Sequence, residues 1–540
     1  MGPRVQALPS LGLGLSSNAQ VVDVPRPYEL LRRNPGAFDY LEYSAPLEVD
    51  AAAREATLFP EMLQRRAEVP LVFHPVHLNL YGPQLEAPHR LAAIRRHCEL
   101  VQSPWVSNDV AWWHHGEGTF PGALYLSPPL TLEALSVCVR HARAVREAVG
   151  VPLLLENPTV PCARGPLHVL DFMERLSRET DCWLLLDVGH LVSHQLTCGN
   201  GLLDGLEGFD FGRVAQLHVA GGVITTRGAR QHYVDDHPQP VRDEVWALLS
   251  FIAPRCHALR ALTFEADGHP DAQALRGLSR LRPFAPHPHA EPAHATAPQV
   301  ASGPSTLTQA EVDACWQLFD DVHAGRGADV EGARAELDFR LAVLAQQLDA
   351  EVPWARLAAA RTREALATFQ QSTAFRGAVA HGVGLQDAFL SWAQTSAEAA
   401  GEGARRLLDF ERALRRHRVG PVRGPTGLGP GVTVATFDVD FAEVVFAEQA
   451  LRRHLRDRAA WSTDGVEGSG LEGVLQAAAR APAGPWTVAL RRVGPRLEVH
   501  ALSSEELAVL RQLETGASVD VPGDLATRLL RRGLVSRSGR

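Results

Sequence analysis

Eight short apolar runs occupy the first 270 residues, and most of them close on a His, Asp or Glu. They are Leu11–Leu15, Phe38–Tyr43, Leu71–His74, Trp105–Asp109, Val151–Glu156, Cys182–Asp187, Val214–His218 and Ala261–Glu265. Each is short and rich in Leu, Val and aromatics, and each stands roughly thirty residues from the next, the spacing of strands that alternate with helices. Eight such βα units predict a closed parallel (β/α)8 barrel of TIM type, with its active site at the C-terminal strand ends. His74, Asp109, Glu156, Asp187, His218 and Glu265 all fall at that end.

A chain of 540 residues exceeds one core. The barrel is expected over residues 1–282, with helices between its strands such as Thr131–Val149 and Val241–Ile252, the latter led by Pro240. Residues 283–307 form a Pro/Ala-rich linker whose His287, His289 and His294 read as incidental. Apolar residues at i, i+3 and i+4 predict a mainly helical domain over 308–419. A second break at Gly420–Gly431 opens a small α+β, winged-helix-like domain over 420–540, a candidate peptide- or partner-binding module. Its strands are Thr433–Val445 and Trp486–Val499, the second a hairpin about Gly494-Pro495, and Ser503-Ser504-Glu505-Glu506 caps a closing helix-turn-helix.

Composition removes several function classes. All 53 basic residues are arginine, so neither a Schiff-base lysine nor a phosphate-loop lysine is available. The net charge of −9 gives no nucleic-acid footprint. No apolar stretch is long enough to span a bilayer, and Met1–Pro9 has no apolar signal core. The seven cysteines are scattered without a Cys-x-x-Cys pair, as expected of reduced thiols in a cytoplasmic protein.

The strand-end residues have neighbours of the same chemistry. His77 follows His74, His190 follows Asp187, Asp235-Asp236-His237 lies after the seventh strand, and Asp267 follows Glu265. A lone His or Asp at a strand end commonly caps a helix or packs in a core. Several carboxylates in one desolvated pocket repel, however, and bound divalent cations remove that cost. Mixed imidazole and carboxylate donors favour iron, zinc or manganese over calcium. The nine candidates His74, Asp109, Glu156, Asp187, His190, His218, Asp235, His237 and Glu265 exceed the three or four that one ion needs, so two metals or more are expected. Glu156 is expected as an inner ligand near Asp187, His218 and Glu265, with the others serving a second ion and any third.

In order and spacing these motifs resemble the multinuclear non-haem iron-dependent oxidative enzymes, a family with a xylose-isomerase-like barrel that includes the methanobactin biosynthesis oxidase. The resemblance is carried by Gly12-Leu13-Gly14-Leu15, Glu42, His74, Ser107-Asn108-Asp109 and Glu156-Asn157. It continues through Leu186-Asp187, His218-Val219-Ala220-Gly221, Asp235-Asp236-His237 and Phe264-Glu265-Ala266-Asp267. Three positions depart from the family pattern: Asp109 stands where a His is usual, Gly189-His190 where an Asn pair is usual, and Gly222 where a second His is common. The resemblance implies two or three iron ions in mixed Fe2+/Fe3+ states, dioxygen as co-substrate, and oxidation of a ribosomally made precursor peptide, often at cysteine. Asn157 and Asp267 are expected to be catalytic, Asp267 as a base just outside the ligand set or equally a helix cap. Residues 308–540 are similar in size and layout to a peptide-presenting partner protein fused in cis, or else form a dimerisation or scaffold region. The competing readings are a two-metal hydrolase or isomerase on the same barrel and a non-catalytic peptide-binding protein. Phosphate chemistry would call for a basic mouth, whereas Val106–Glu117 holds no arginine.

Overall fold

The computed structural model describes residues 8–44, 57–75, 78–116, 118–120, 124–227, 230–288, 306–396, 401–416, 428, 432–448, 469–493, 496–514 and 521–536. His77, His289, His294 and the Gly494-Pro495 turn lie outside them. The chain divides into two compact units, Met1–Leu337 and Asp338–Arg540.

The first unit holds eight parallel strands: β1 Gly12–Ser17, β2 Tyr40–Tyr43, β3 Leu71–Phe73, β4 Val106–Asp109, β5 Leu153–Glu156, β6 Trp183–Asp187, β7 Val214–Ala220 and β8 Ala261–Glu265. They close into a barrel in sequential order, β8 pairing with β1 through Gly12↔Ala261 to Leu15↔Phe264. Every predicted run coincides with one of them. Along a strand, side chains i and i+2 share a face. Tyr40, Val72, Trp105, Leu154 and Leu185 pack with Leu8 and Leu11 in a lower core. Two residues further along the same strands come Glu42, His74, Ser107, Glu156 and Asp187. The functional layer is therefore the next storey of the barrel core, raised by one pleat.

Local signals fix the connecting helices. Thr131 Oγ1 accepts from the Ala134 N–H at 3.2 Å to open helix Leu132–Val149, and Gly150 ends it at φ 77°. The helix expected from Val241 starts at Asp243 instead. Pro240 is held outside it because its carbonyl accepts from the Gly222 N–H at 3.4 Å.

Beyond the linker, helix Gln309–His323 opens on a Thr308/Glu311 capping box. It lies in the first unit, whose boundary at Leu337 falls inside the next helix, Val330–Glu351. Trp316 and Phe319 meet Trp112 at ring-centroid distances of 5.2 and 6.0 Å, and Glu311 pairs with Arg140 at 3.2 Å. Helical periodicity reports a buried stripe but not which core buries it.

The second unit carries helices Pro353–Ala359, Arg363–Gln370, Thr373–His381, Leu385–Ala393 and Glu402–Arg416. A three-stranded antiparallel sheet follows, β9 Val432–Val439, β10 Ala483–Val493 and β11 Arg496–Ala501, with β10 central. Helices Ser504–Glu514 and Gly523–Arg531 pack on it through Val432, Ala489, Leu510 and Leu529. Ser503 and Glu506 exchange side-chain-to-backbone bonds at 3.2 and 2.9 Å, the cap that the sequence predicts. No disulfide joins any of the seven cysteines. Among the described residues no helix is long and apolar enough to cross a membrane.

Candidate metal centre

Parallel register sets Asp109 opposite Glu156 and Asp187 opposite His218 at the C-terminal mouth of the barrel. A cavity of about 230 Å3 opens there. Its lining includes His74, Asp109, Glu156, His190, Asp235, His237 and Glu265, and the fully buried Asp187 and His218 adjoin them. All nine candidates thus converge. Three overlapping triads bring ligand atoms within 4.8 Å of one another: His74–Asp109–Glu156, Glu156–Asp187–His190 and Asp187–His218–Glu265. Glu156 and Asp187 each belong to two of them.

Each imidazole is aimed by a partner on its far side. His74 Nδ1 meets Ser107 Oγ at 3.0 Å, so Nε2 faces Glu156 at 3.7 Å. His218 Nε2 is tied to Glu42 Oε1 at 2.6 Å, leaving Nδ1 toward Glu156 and Glu265 at 3.4 and 3.5 Å. His190 Nδ1 donates to the Asn157 carbonyl at 2.8 Å, and Nε2 lies 3.4 Å from Asp235. Such outer partners fix which nitrogen a histidine offers to a metal.

The site is crowded with acids. Burial pushes Asp109 up to about 6, and the like charges of Asp187 and Asp235 add to it. Glu156 is pushed well above the carboxylate range by burial and by Asp109. Glu265 rises to about 7, again chiefly through burial. Burial lowers His74 to about 4, which keeps it neutral and able to donate a lone pair. For His190, burial pulls downward but Asp187, Tyr125 and Asp235 outweigh it. For His218, Glu42, Glu265 and Glu156 do the same.

Asp109 Oδ1, Glu156 Oε2, Asp187 Oδ2, His218 Nδ1 and Asp235 Oδ1 are buried and make no hydrogen bond. A buried acceptor without a donor costs about 1–3 kcal/mol, and five of them in one mouth fit a set of cations. Because burial raises Glu156 well above the carboxylate range and Glu265 to about 7, these carboxyls hold protons in the metal-free chain that cation binding must displace. Titrating zinc into metal-free protein at pH 7 should therefore release protons, read with an indicator dye in weak buffer. Apparent affinity should fall as pH is lowered.

The two residues expected to be catalytic occupy different positions. Asn157 is fully buried, and its amide is spent on the Asp187 backbone, accepting from N–H at 2.8 Å and donating to C=O at 3.0 Å. That geometry positions the strand end carrying Asp187. Asp267 stands at the rim beside His237, 3.2 Å from Nδ1.

A polar floor lies below the candidates. Gln216 accepts from Trp105 Nε1 at 2.9 Å, donates to Thr263 at 3.0 Å, and bonds Glu42 beneath His218. Tyr40 bonds Thr263 at 2.6 Å. In the sequence Glu42 stands out only through the resemblance, and Gln216 and Thr263 lie inside apolar runs. The available signal was period two: Gln216 and Thr263 precede His218 and Glu265 by two residues.

Asp235 closes a hairpin, Gly222–Arg227 against Arg230–Asp235, in which it pairs with Gly222. A Cβ on Gly222 would sit 2.2 Å from the Tyr233 ring, and one on Gly189 2.8 Å from its hydroxyl. Tyr233 thus fills the room that larger residues at 189 and 222 would need. Neighbouring Gly221 lets the Gln239 carbonyl approach to 1.8 Å from where its Cβ would be. Gly222→Ala should displace Tyr233 and Asp235 together. The expected cost is about 1–3 kcal/mol, read by thermal unfolding, together with weakened zinc binding by the metal-free protein.

The RiPP precursor modification enzyme family MbnB/TglH/ChrH matches this chain over residues 25–277. A UPF0276 protein of Caulobacter vibrioides is 30% identical over 215 residues, covering 39% of this chain and 74% of that protein. One from Rhizobium meliloti is 28% identical over 214 residues, covering 39% and 69%. Another, from Vibrio vulnificus, is 30% identical over 177 residues, and the chain spans only 60% of its length. Among solved structures, the TTHB071 protein of Thermus thermophilus, soaked with ZnCl2, is 20% identical at a TM-score of 0.30, covering 50% of this chain and 97% of that one.

Proposed function

This chain belongs to the MbnB/TglH/ChrH family of RiPP precursor modification enzymes, and from that premise we propose that it oxidises a ribosomally made precursor peptide at cysteine, using two or three iron ions and dioxygen. The observation that carries the reading is the set of overlapping triads sharing Glu156 and Asp187, with five ligand atoms left without hydrogen bonds. Iron held there would supply one-electron chemistry toward dioxygen and a Lewis-acidic seat for a substrate thiolate.

The chain's own residues supply the surroundings. Glu156 and Asp187, each shared by two triads, would hold the iron together with His74, Asp109, His190, His218, Asp235, His237 and Glu265. Ser107 and Glu42 hold two of the imidazoles with a lone pair turned inward. Trp113 and Tyr125, with ring centroids 4.6 Å apart, wall the cavity and keep water from its side. The volume of about 230 Å3 suits a single side chain with its ions rather than a folded substrate. Within the same proposal, the second unit, residues 338–540, rather than the whole of 308–540, presents the precursor peptide in cis, where a tether raises effective concentration.

The test is anaerobic purification with metal analysis, followed by addition of oxygen and the precursor peptide encoded beside the gene. The expected result is bound iron and a peptide mass change that requires iron, oxygen and Glu156. Zinc as the native metal, with no oxygen uptake and a hydrolysed or isomerised product, would replace this reading by the two-metal alternative.

A further inference from the structure

One carboxylate at the mouth has its hydrogen bonds spent before any ligand arrives. Asp267 Oδ2 accepts from Ser16 Oγ at 2.8 Å and lies 3.2 Å from His237 Nδ1, while Oδ1 accepts from Asn18 Nδ2 at 3.0 Å. Ser16 is on β1, Asn18 just beyond it and Asp267 just after β8, so these bonds cross the seam where first and last strands pair. A general base needs a free lone pair facing the proton it removes. Asp267 instead faces three donors from its own chain.

The consequence falls on His237. A neutral imidazole has one N–H and one lone pair. With Nδ1–H directed at Asp267, the lone pair of Nε2 points at Asp235 Oδ2, 3.2 Å away, with Glu265 Oε2 at 3.9 Å. A lone pair facing two carboxylates is stable only with a proton or a cation between them.

We propose that Asp267 is a positioning residue rather than a base: held by Ser16 and Asn18, it fixes His237 as the Nδ1–H tautomer so that Nε2 and Asp235 seat one divalent cation together. This rests on the metal-site reading above and deepens it, tying one cation seat to closure of the barrel seam. The bond is a carboxylate–histidine–metal arrangement, in which loss of the outer carboxylate weakens metal affinity by about 10–100-fold.

The test needs no peptide. The metal-free full chain is titrated with zinc alone against a chelator, as wild type, Asp267→Asn, His237→Ala, the Asp267→Asn/His237→Ala double variant and Ser16→Ala/Asn18→Ala. Asp267→Asn should weaken one bound zinc by about 10–100-fold and leave the remaining zinc unchanged. In the His237→Ala background it should add nothing, because the pair acts as one unit. Ser16→Ala/Asn18→Ala should weaken the same zinc to a smaller degree, and that effect should also vanish without His237. Nitrogen-15 spectra of histidine-labelled, zinc-loaded protein should show a protonated Nδ1 for His237 that is lost in Asp267→Asn.

Full additivity of Asp267→Asn and His237→Ala, or wild-type zinc affinity in Asp267→Asn, would overturn the proposal. If Asp267→Asn does not fold, the Ser16/Asn18 variant carries the same decision. A chain that passes this zinc test yet leaves every peptide unmodified would count against the oxidative function alone.

Discussion

A Glu156→Ala chain emerges from anaerobic purification essentially free of metal and inactive on any peptide: this is the largest effect expected of a single substitution. Glu156 belongs to both the His74–Asp109 and the Asp187–His190 triads. Its loss would therefore take a donor from both triads and from any ion that they hold. Even an outer-sphere partner is worth about 10–100-fold in affinity, and a shared inner carboxylate should be worth more. Glu156→Gln preserves the shape and should fail almost as badly. Glu265→Ala belongs to one triad and should cost part of the metal only. Metal analysis and thermal unfolding together separate ligand from scaffold. In the metal-free state Glu156 is a buried carboxyl pushed well above its ordinary range by burial and Asp109. Removing it should leave the metal-free melting temperature no lower than wild type. A large fall in that temperature, with metal retained, would make Glu156 a structural residue and undo the site assignment.

Glu42→Gln is expected to produce the second largest effect, and through stability first. The carboxylate is 2% exposed and sits 2.6 Å from His218 Nε2. Burial pushes Glu42 upward, but the charge and hydrogen bond of His218 outweigh it and leave it below the carboxylate range. His218 is raised well above the imidazole range, the surrounding acids overcoming its own burial. Breaking one side of a buried pair costs about 3–5 kcal/mol because the other charge is stranded. Glu42, being depressed, contributes above its unfolded pKa and loses that contribution as pH falls. His218, being raised, contributes fully below its unfolded pKa and loses that contribution as pH rises through its folded value. The gap between wild type and Glu42→Gln in metal-free unfolding should thus be widest between about pH 4.3 and 6.5. A gap independent of pH would show that Glu42 acts by packing alone.

Much of the barrel is legible without coordinates because parallel strands buried on both faces read as unbroken apolar runs. The candidate site is legible for a related reason: each run stops where the mouth begins, and a polar residue there is conspicuous. Gln216 and Thr263 lie inside their runs, where one polar residue among apolar neighbours reads as noise. Trp105 opens a predicted run, yet nothing local shows that its indole spans the barrel to Gln216. The hairpin that carries Asp235 reads as loop because its pairing partner is not signalled locally. Helix Gln309–His323 follows a Pro/Ala-rich stretch that resembles a domain boundary, and its contacts with Trp112, Phe120 and Arg140 place it in the barrel unit. Positions 189 and 222 look like simple deviations in sequence. They acquire a cause only once Tyr233 is seen to fill the space over both.

That helix has a practical bearing on any attempt to isolate the barrel. Excising everything after the Pro/Ala-rich stretch would strip Trp316 and Phe319 from Trp112 and Phe120, baring a greasy slab and leaving Arg140 without its counter-ion. Such a fragment would be prone to clump in solution. Its inactivity would then report spoiled handling rather than missing chemistry.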